Sequence, residues 1–312
     1  MSASSSARTF GFVGVTASKS SINKVFPRWA KVLDLGPVAF DPIDLPTDVD
    51  DDTYRAVVGR IAEDPAYHGA LVTTHKVRLL AAARDLIDEL DPHADLLGEV
   101  SCLSKRDGRL IGHAKDPITA GRSLEEFVPR GHFNVTDGQV LCLGAGGAGL
   151  AIAVYLLTGD SPAGRPDRVV LTNRSVSRLN ECHEVLDRLG VRDSVDLVLS
   201  EDPRRADQLC ADLPPASMVV NATGMGKDRP GSPLTDDATF PERGLVWELN
   251  YRGDLEFLRQ ARDQAVSRDL TIEDGWRYFI HGWSAVVAEV FDLDVDQAML
   301  ERLAQEAEAV RS

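Results

Sequence analysis

The sequence predicts an α/β protein of two domains. Three observations predict it. Short apolar runs alternate with helical patterns along most of the chain, which is the signature of largely parallel sheets. The 312 residues are enough for two domains at roughly 100–200 residues each. A glycine turn, Gly144–Gly149, stands between an apolar run and a helical run and opens a second βαβ pattern.

In chain order, strands are expected at Phe10–Val15, at Val38–Ile43 between two prolines, and at Gly69–Thr73, which leads into a helix from Val77 to Leu90. A hairpin follows, with arms Val100–Ser104 and Leu110–His113 around Arg106-Asp107-Gly108. A helix over Ile118–Phe127 precedes the loop with Pro129 and Gly131, where the crossover between domains is expected. The second pattern has strands at Gln139–Leu143, Arg168–Thr172, Val195–Leu199, Met218–Ala222 and Leu245–Leu249. Its helices open at Leu150–Leu157 and Val176–Leu189. Two closing helices, Trp276–Phe291 and Val295–Val310, are expected to pack back on the first domain.

Composition narrows the function classes. With 49 acidic and 34 basic residues the net charge is -15, which argues against nucleic acid and anionic membranes as partners. An anionic small molecule stays open, since a local cationic pocket can sit on an acidic surface. No apolar run reaches the ~18 residues of a membrane span. Met1–Thr9, rich in Ser and Ala without an apolar stretch, reads as a disordered start and not as a signal peptide. Four cysteines without metal-like spacing read as reduced thiols of a cytoplasmic protein, with no metal site.

The glycine turn carries the first functional reading. Gly144, Gly146 and Gly149 fit GxGxxG, with the tight turn at the first, close backbone approach to a pyrophosphate at the second, and helix–strand packing at the third. The following helix offers free N–H groups to phosphate. Gly144, Ala145, Gly146, Gly147 and Ala148 are therefore expected at a dinucleotide. The next strand ends in Asn173-Arg174-Ser175, without the acid that reads a ribose hydroxyl in NAD sites. A guanidinium there suits a 2′-phosphate, with Asn173 and Ser175 as neutral donors, so NADP is expected ahead of NAD. Ala222 and Thr223, after the next strand but one, and Leu249 are expected along the ribose and nicotinamide.

Taken together the motifs resemble the shikimate dehydrogenase family over nearly the full length. Ser18-Lys19-Ser20 looks like the family's serine pair, Gly69–Lys76 like the strand ending in its catalytic lysine, and Gly98–Ser101 like its GAVN. Gly112–Asp116 looks like G-x-N-T-D, and the glycine turn, Asn173-Arg174-Ser175, Asn221-Ala222-Thr223 and Tyr251 follow in family order. The resemblance implies an NADP-linked oxidation of a secondary alcohol on a cyclic hydroxy acid, shikimate or a close analogue, within aromatic amino acid biosynthesis. It implies Lys76 and Asp116 as the catalytic pair, in a cleft between the domains. Ser18 and Ser20 are expected at the substrate carboxylate, and Thr73, Ser101, Tyr251 and His281 at the rest of the substrate.

Departures from the family point to an altered substrate. Family asparagines are replaced by Ala70, Ser101 and Ala114, its proline by Thr74, and a threonine by Lys115. A late glutamine has no counterpart, with His281 the nearest polar residue. Each loss removes a donor to the ring hydroxyls or a group that positions the catalytic pair, and hydroxyl-reading sites discriminate strongly. Two readings stand for each new ionisable group: Lys115 meets the substrate or points to solvent, and His75 meets the substrate or is a satisfied core residue. Quinate, an aminated ring acid or a non-catalytic NADP(H)-binding regulatory role remain as alternatives, with folate-linked dehydrogenases more distant. The organisation expected is a substrate-binding domain over 1–118, a Rossmann-type NADP-binding domain over 119–274, and helices over 275–312 completing the first domain, as a monomer or homodimer.

Overall fold

The computed structural model describes residues 8–159, 161–227 and 229–311. The chain divides into two compact units, Met1–Lys115 with Ile280–Ser312, and Asp116–Phe279. The expected boundaries lie at 118 and 274. Lys115 belongs to the first unit because its N–H donates to Ser101 Oγ (2.8 Å) and its ammonium to Glu289 (2.6 Å). Helix Asp116–Leu124 belongs to the second, where Gly121 lies flat under the Tyr155 ring; a Cβ there would stand 2.2 Å from the ring.

The first unit is built on six strands: β1 Arg8–Gly14, β2 Val38–Asp44, β3 Tyr67–Val72, β4 Glu89–Leu90, β5 Cys102–Arg106 and β6 Arg109–His113. Their order is β2-β1-β3-β5-β6-β4. The sheet is mixed, not largely parallel: β5 runs antiparallel to both β3 and β6, because the β5–β6 connection is a tight hairpin with Asp107 and Gly108 both at positive φ. The expected disordered start covers 1–9. Residues 1–7 lie outside the described residues, and Arg8 and Thr9 pair with Val38 and Ala39 as the first rungs of β1.

Helix Ile22–Val32, not anticipated from the sequence, buries Ile22, Val25, Phe26 and Trp29, one stripe of a 3.6-residue repeat. Phe26 stacks on Phe40 (ring centroids 5.0 Å apart) and meets Phe10 (5.2 Å). The C-terminal helices close this core: Trp283 packs on Phe12 at 4.7 Å, and Trp29 Nε1 donates to the Leu303 carbonyl at 2.8 Å. The helix expected over Val77–Leu90 is Lys76–Ala83 only; Glu89–Leu90 leaves it to pair with β6, with Asp88 held by the Leu110 N–H at 2.7 Å. The last helix starts at Gln297 and not at Val295, since Asp296 caps it by accepting from Met299 N at 2.8 Å.

The second unit holds β7 Val140–Leu143, β8 Val169–Asn173, β9 Val195–Leu199, β10 Met218–Asn221, β11 Leu245–Glu248 and β12 Thr271–Glu273. Every pairing is parallel and the order is β12-β11-β10-β7-β8-β9. That is the doubly wound dinucleotide-binding order, with its switch point between β7 and β10. Ligands of such sheets bind beyond the strand ends at that point.

Candidate functional site

At the switch point the chain leaves β7 through Gly144, whose φ of 110° is open to glycine. Its N–H donates to Thr172 Oγ1 (3.3 Å), tying the turn to β8. Helix Gly147–Thr158 begins inside the glycine turn and not at Leu150, with Gly146 as its extended N-cap. The first N–H groups of a helix have no partner within it, so those of Gly147 and Ala148 are positioned for an anion. A Cβ on Gly149 would stand 2.0 Å from the Gly144 carbonyl, whereas one on Gly146 would meet nothing within 4 Å. Gly149 is thus demanded by packing, and Gly146 borders open space.

That space is a cavity of about 400 Å³ in the second unit, lined among others by Gly144, Gly146, Asn173, Arg174, Ala222 and Thr223. Glu201, Met225 and Arg229 also line it and were not anticipated. Ala145 is different: it is fully buried, its N–H donates to Thr172 O (2.7 Å) and its carbonyl accepts from Arg178 Nε (2.9 Å). Its backbone is committed to the fold, and no sequence signal marked Arg178 as the residue that pins the glycine turn. Asn173 Oδ1 accepts the Ser175 N–H (3.0 Å), and Ser175 Oγ caps the next helix by accepting from Arg178 N (3.3 Å). Arg174 between them is exposed. Leu249, just past β11, is held through its N–H on Asn221 O (3.2 Å).

Below the cavity lies a buried polar network. Glu248, at the end of β11, is fully buried and accepts from Asn221 Nδ2 (2.7 Å), Asn250 N (2.8 Å) and Asn250 Nδ2 (2.7 Å). Asn221 Oδ1 in turn accepts from the Thr223 N–H (3.1 Å) and hydroxyl (2.7 Å), fixing the loop that lines the cavity. Burial pushes the Glu248 carboxyl up to about 7, against the pull of the three donors. The folded protein therefore holds this proton more tightly than the unfolded chain. Stability is full below the unfolded value, 4.5, and falls as pH rises through about 7. The expected loss is on the order of 3 kcal/mol. Urea melts across that range check it, and Glu248→Gln should lower overall stability while flattening the slope.

In the first unit the candidate substrate residues gather at the C-terminal ends of β1, β2 and β3. Asn23 ties the serine loop together by donating to the carbonyls of Ala17 (2.8 Å) and Ser20 (2.9 Å), a role absent from the sequence reading. Ser18 is exposed and Ser20 half-buried. Ser18 donates its N–H and hydroxyl to the Asp44 carboxylate, at 2.8 and 2.5 Å. Thr73 lies against β1, its N–H on Val13 O at 3.0 Å. Lys76 is half-buried and opens helix Lys76–Ala83. A cation at the positive end of a helix is electrostatically unfavourable, so helix stability does not explain the lysine.

His75 is a core residue. Its Nε2–H donates to Leu45 O (2.9 Å) and its Nδ1 accepts from the Tyr54 hydroxyl (2.8 Å), and burial holds its pKa below the usual value. Lys115 neither points to solvent nor stands free for substrate: its ammonium is bound to Glu289. Ser101 is buried at 3% exposure and its hydroxyl takes the Lys115 N–H, so it braces the backbone next to Asp116. His281 is buried in helix Trp276–Phe291. In the second unit, Asp116 is buried at the start of its helix, and Tyr251 packs on Trp276 and Phe279 with ring centroids at 5.4 and 4.7 Å. Lys76 thus falls in one unit and Asp116 at the first residue of the other.

Among the described residues no group of three or more His, Cys, Asp or Glu could hold a metal ion, and no helix is long and apolar enough to cross a membrane.

No protein-family model matches the chain. A quinate dehydrogenase from Corynebacterium glutamicum, solved in complex with NAD, matches 97% of this chain and 99% of its own length with a TM-score of 0.72 at 22% identity. The chain has the fold of the shikimate and quinate dehydrogenases. Shikimate 5-dehydrogenase from Thermus thermophilus, solved with NADP(H) and shikimate, matches 96% of this chain and 99% of its own length with a TM-score of 0.68 at 24% identity. By sequence, the shikimate dehydrogenase (NADP(+)) of Lactococcus lactis subsp. cremoris is 31% identical over 185 residues, 59% of this chain and 61% of that relative. The enzyme of the same name from Lactococcus lactis subsp. lactis is 34% identical over 184 residues. The chain spans about three-fifths of the length of the curated relatives it matches.

Proposed function

We propose that the protein is an NADP-dependent dehydrogenase that reversibly oxidises a secondary alcohol on a cyclic hydroxy acid, shikimate or a close analogue. One observation carries the reading: the cavity at the switch point is bordered by an unobstructed Gly146 and by the exposed Arg174. The geometry fits a dinucleotide, with the pyrophosphate against Gly146 and the helix N-terminus and the 2′-phosphate on Arg174. NADP when bound supplies the hydride acceptor. The likeness to dehydrogenases in sequence and fold supports the reaction class.

In this reading the unit Met1–Lys115 with Ile280–Ser312 takes the ring substrate and the unit Asp116–Phe279 takes NADP. Lys76 relays the proton leaving the alcohol oxygen, and Asp116 orients the lysine and accepts a hydrogen bond from the same hydroxyl. Ser20, Thr73 and Tyr251 supply donors to the ring. Ser101 contributes by holding the chain at Lys115. The four cysteines are buried thiols, as a protein of the reducing cytoplasm would carry.

Arg174→Ala is expected to weaken NADP+ by about 10–100-fold, the loss of a charge-assisted pair, while leaving NAD+ nearly unchanged. Calorimetry with both nucleotides checks this; equal losses for the two would remove Arg174 from the 2′-phosphate. The reaction is tested by mixing the protein with NADP+ and a panel of ring acids, shikimate and quinate included, and following NADPH absorbance. NADPH with at least one ring acid is expected. Tight NADP+ binding without NADPH from any of them would leave a nucleotide-binding regulatory protein.

A further inference from the structure

The loop that follows β10 is wired to one buried carboxylate. Glu248 Oε1 accepts from Asn250 twice, from its N–H (2.8 Å) and its Nδ2 (2.7 Å), and Oε2 accepts from Asn221 Nδ2 (2.7 Å). Asn221 is thereby turned with its Oδ1 toward the loop, where it takes the N–H (3.1 Å) and the hydroxyl (2.7 Å) of Thr223. Thr223 Oγ1 in turn accepts the Met225 N–H (3.1 Å), and the Met225 carbonyl takes Asn221 Nδ2 (3.3 Å) and Asn250 Nδ2 (3.1 Å). The direction of the Asn221 amide thus sets the loop from Thr223 to Met225. Ala222, Thr223 and Met225 line the cavity at the switch point. The same loop abuts the glycine turn: a Cβ on Gly144 would stand 2.7 Å from the Ala222 carbonyl and 3.2 Å from Thr223 Cγ2. At that packing a shift of Thr223 is felt at the turn.

The loop as it stands fits a charged Glu248, which only accepts. A proton on this carboxyl belongs on Oε2, since Oε1 is occupied by two donors. Oε2–H then needs an acceptor where an Asn221 N–H now points. Asn221 supplies one by turning its Oδ1 to Glu248, which takes that oxygen from Thr223 and sets an NH2 group against the Thr223 N–H. Two donors cannot pair, and a buried polar group left unpaired is costly. Three elements pack polar groups on Glu248: Asn221 comes from β10, Asn250 from the loop after β11, and Asp274 from the residue after β12. Asp274 is the charged one, and as a like charge it adds to the upward push of burial. With the carboxyl at about 7, both forms are populated at neutral pH.

We propose that Glu248 is a positioning residue of the nucleotide site, acting through Asn221 on the Thr223 loop, and that the dinucleotide binds the form in which its carboxyl carries no proton, so that binding releases one. This rests on the reading of the switch-point cavity as a dinucleotide site and adds to it a proton-linked affinity. The proton is the counterpart of the nucleotide: whatever stabilises one form of Glu248 shifts binding by the same factor.

The test is calorimetry of NADP+ and NAD+ binding to the full chain at about pH 6, 7 and 8, in buffers of different ionisation enthalpy, which reads affinity and protons together. Wild type is expected to bind about tenfold more weakly at the acid end than at the alkaline end, as the competent form falls from about nine-tenths to about one-tenth of the protein. Near neutrality it should release about half a proton per nucleotide. A phosphate monoester titrates near about 6, so the 2′-phosphate of NADP+ adds a share of its own. NAD+ lacks that group and should show the Glu248 share by itself, without any variant. Glu248→Gln measures the 2′-phosphate share: its amide N–H holds Asn221 in the turned position at every pH. That variant, shown to be folded by thermal melts, should bind NADP+ at least about tenfold more weakly than wild type at the alkaline end. It should release no proton with NAD+. A buried carboxyl of merely structural importance would lower stability and leave proton release unmoved. The proposal is overturned by an affinity that is flat with pH, by proton uptake on binding (the sign that repulsion between the phosphates and Glu248 would give), or by Glu248→Gln binding as wild type does. Failure of both nucleotides to bind at any pH would instead sink the dinucleotide reading, and this proposal with it.

Discussion

Replacing Lys76 with alanine is expected to lower kcat by about 10³-fold, within the range for a general acid–base group, while NADP+ binds as before. Lys76 opens its helix in the first unit, and the cavity lined by Gly146 and Arg174 belongs to the second. Lys76 is not among the residues that line that cavity, so the variant keeps every side chain of the nucleotide cradle. Lys76→Arg should fail to restore the rate, because guanidinium keeps its proton at any working pH and cannot relay one. A merely electrostatic role would instead be rescued by arginine. Stopped-flow NADPH formation for the three proteins, with nucleotide affinity measured in parallel, separates these outcomes. An alanine variant within a few-fold of wild-type kcat would remove Lys76 from the chemistry.

The glycine turn gives the second large effect, through a pair of substitutions with opposite signatures. Gly149→Ala forces a methyl to within 2.0 Å of the Gly144 carbonyl, and backbone cannot step aside as a side chain could. A destabilisation of about 3 kcal/mol or more is expected, at the upper end of overpacking costs, with loss of nucleotide binding as a consequence. Gly146→Ala meets nothing within 4 Å, and Gly146 has a φ of -77°, which alanine adopts without strain. Its denaturation midpoint should match wild type, yet the methyl stands where a pyrophosphate must approach the backbone. An increase of about tenfold or more in the Kd for NADP+ is expected. Urea melts and calorimetry on both variants check the pair. A Gly146→Ala protein with unchanged NADP+ affinity would move the phosphates elsewhere.

The second unit was largely legible from the sequence because its central strands are buried on both faces. Val140–Leu143 and Met218–Asn221 are wholly buried and most of their residues are apolar, which is how parallel strands in a doubly wound sheet read. The glycine turn stood out because phosphate approach and helix packing need glycine at fixed spacing. Missed elements were those whose stability comes from partners distant in sequence. Helix Ile22–Val32 carries Pro27 and two lysines and makes sense only against Phe10, Phe40 and Leu303. Helix Pro203–Ala211 is short and carries Arg204, Arg205, Asp207 and Gln208, and β12 is a three-residue edge strand.

The site divides the same way. Residue types at strand ends marked Lys76, Arg174 and the serine loop. What those residues touch was not legible. Ser18 and Asp44 are 26 positions apart and meet through the β1–β2 register. The sequence allows His75 two roles, and Tyr54 and Leu45 on its two ring nitrogens decide for the core one. Glu248 read as part of an apolar strand and gave no warning of a buried carboxyl held by two asparagines.

Hydride transfer from a ring carbon is the step on which the functional reading depends. It is measured most directly with a ring alcohol deuterated at the carbon that bears the reacting hydroxyl, incubated with NADP+ and the protein. The label should appear in the NADPH nicotinamide by mass spectrometry, with a slowed rate, and its appearance should fall by about 10³-fold with Lys76→Ala. NADPH formed without the label, or no NADPH from any ring alcohol under conditions where NADP+ is bound, would contradict the account.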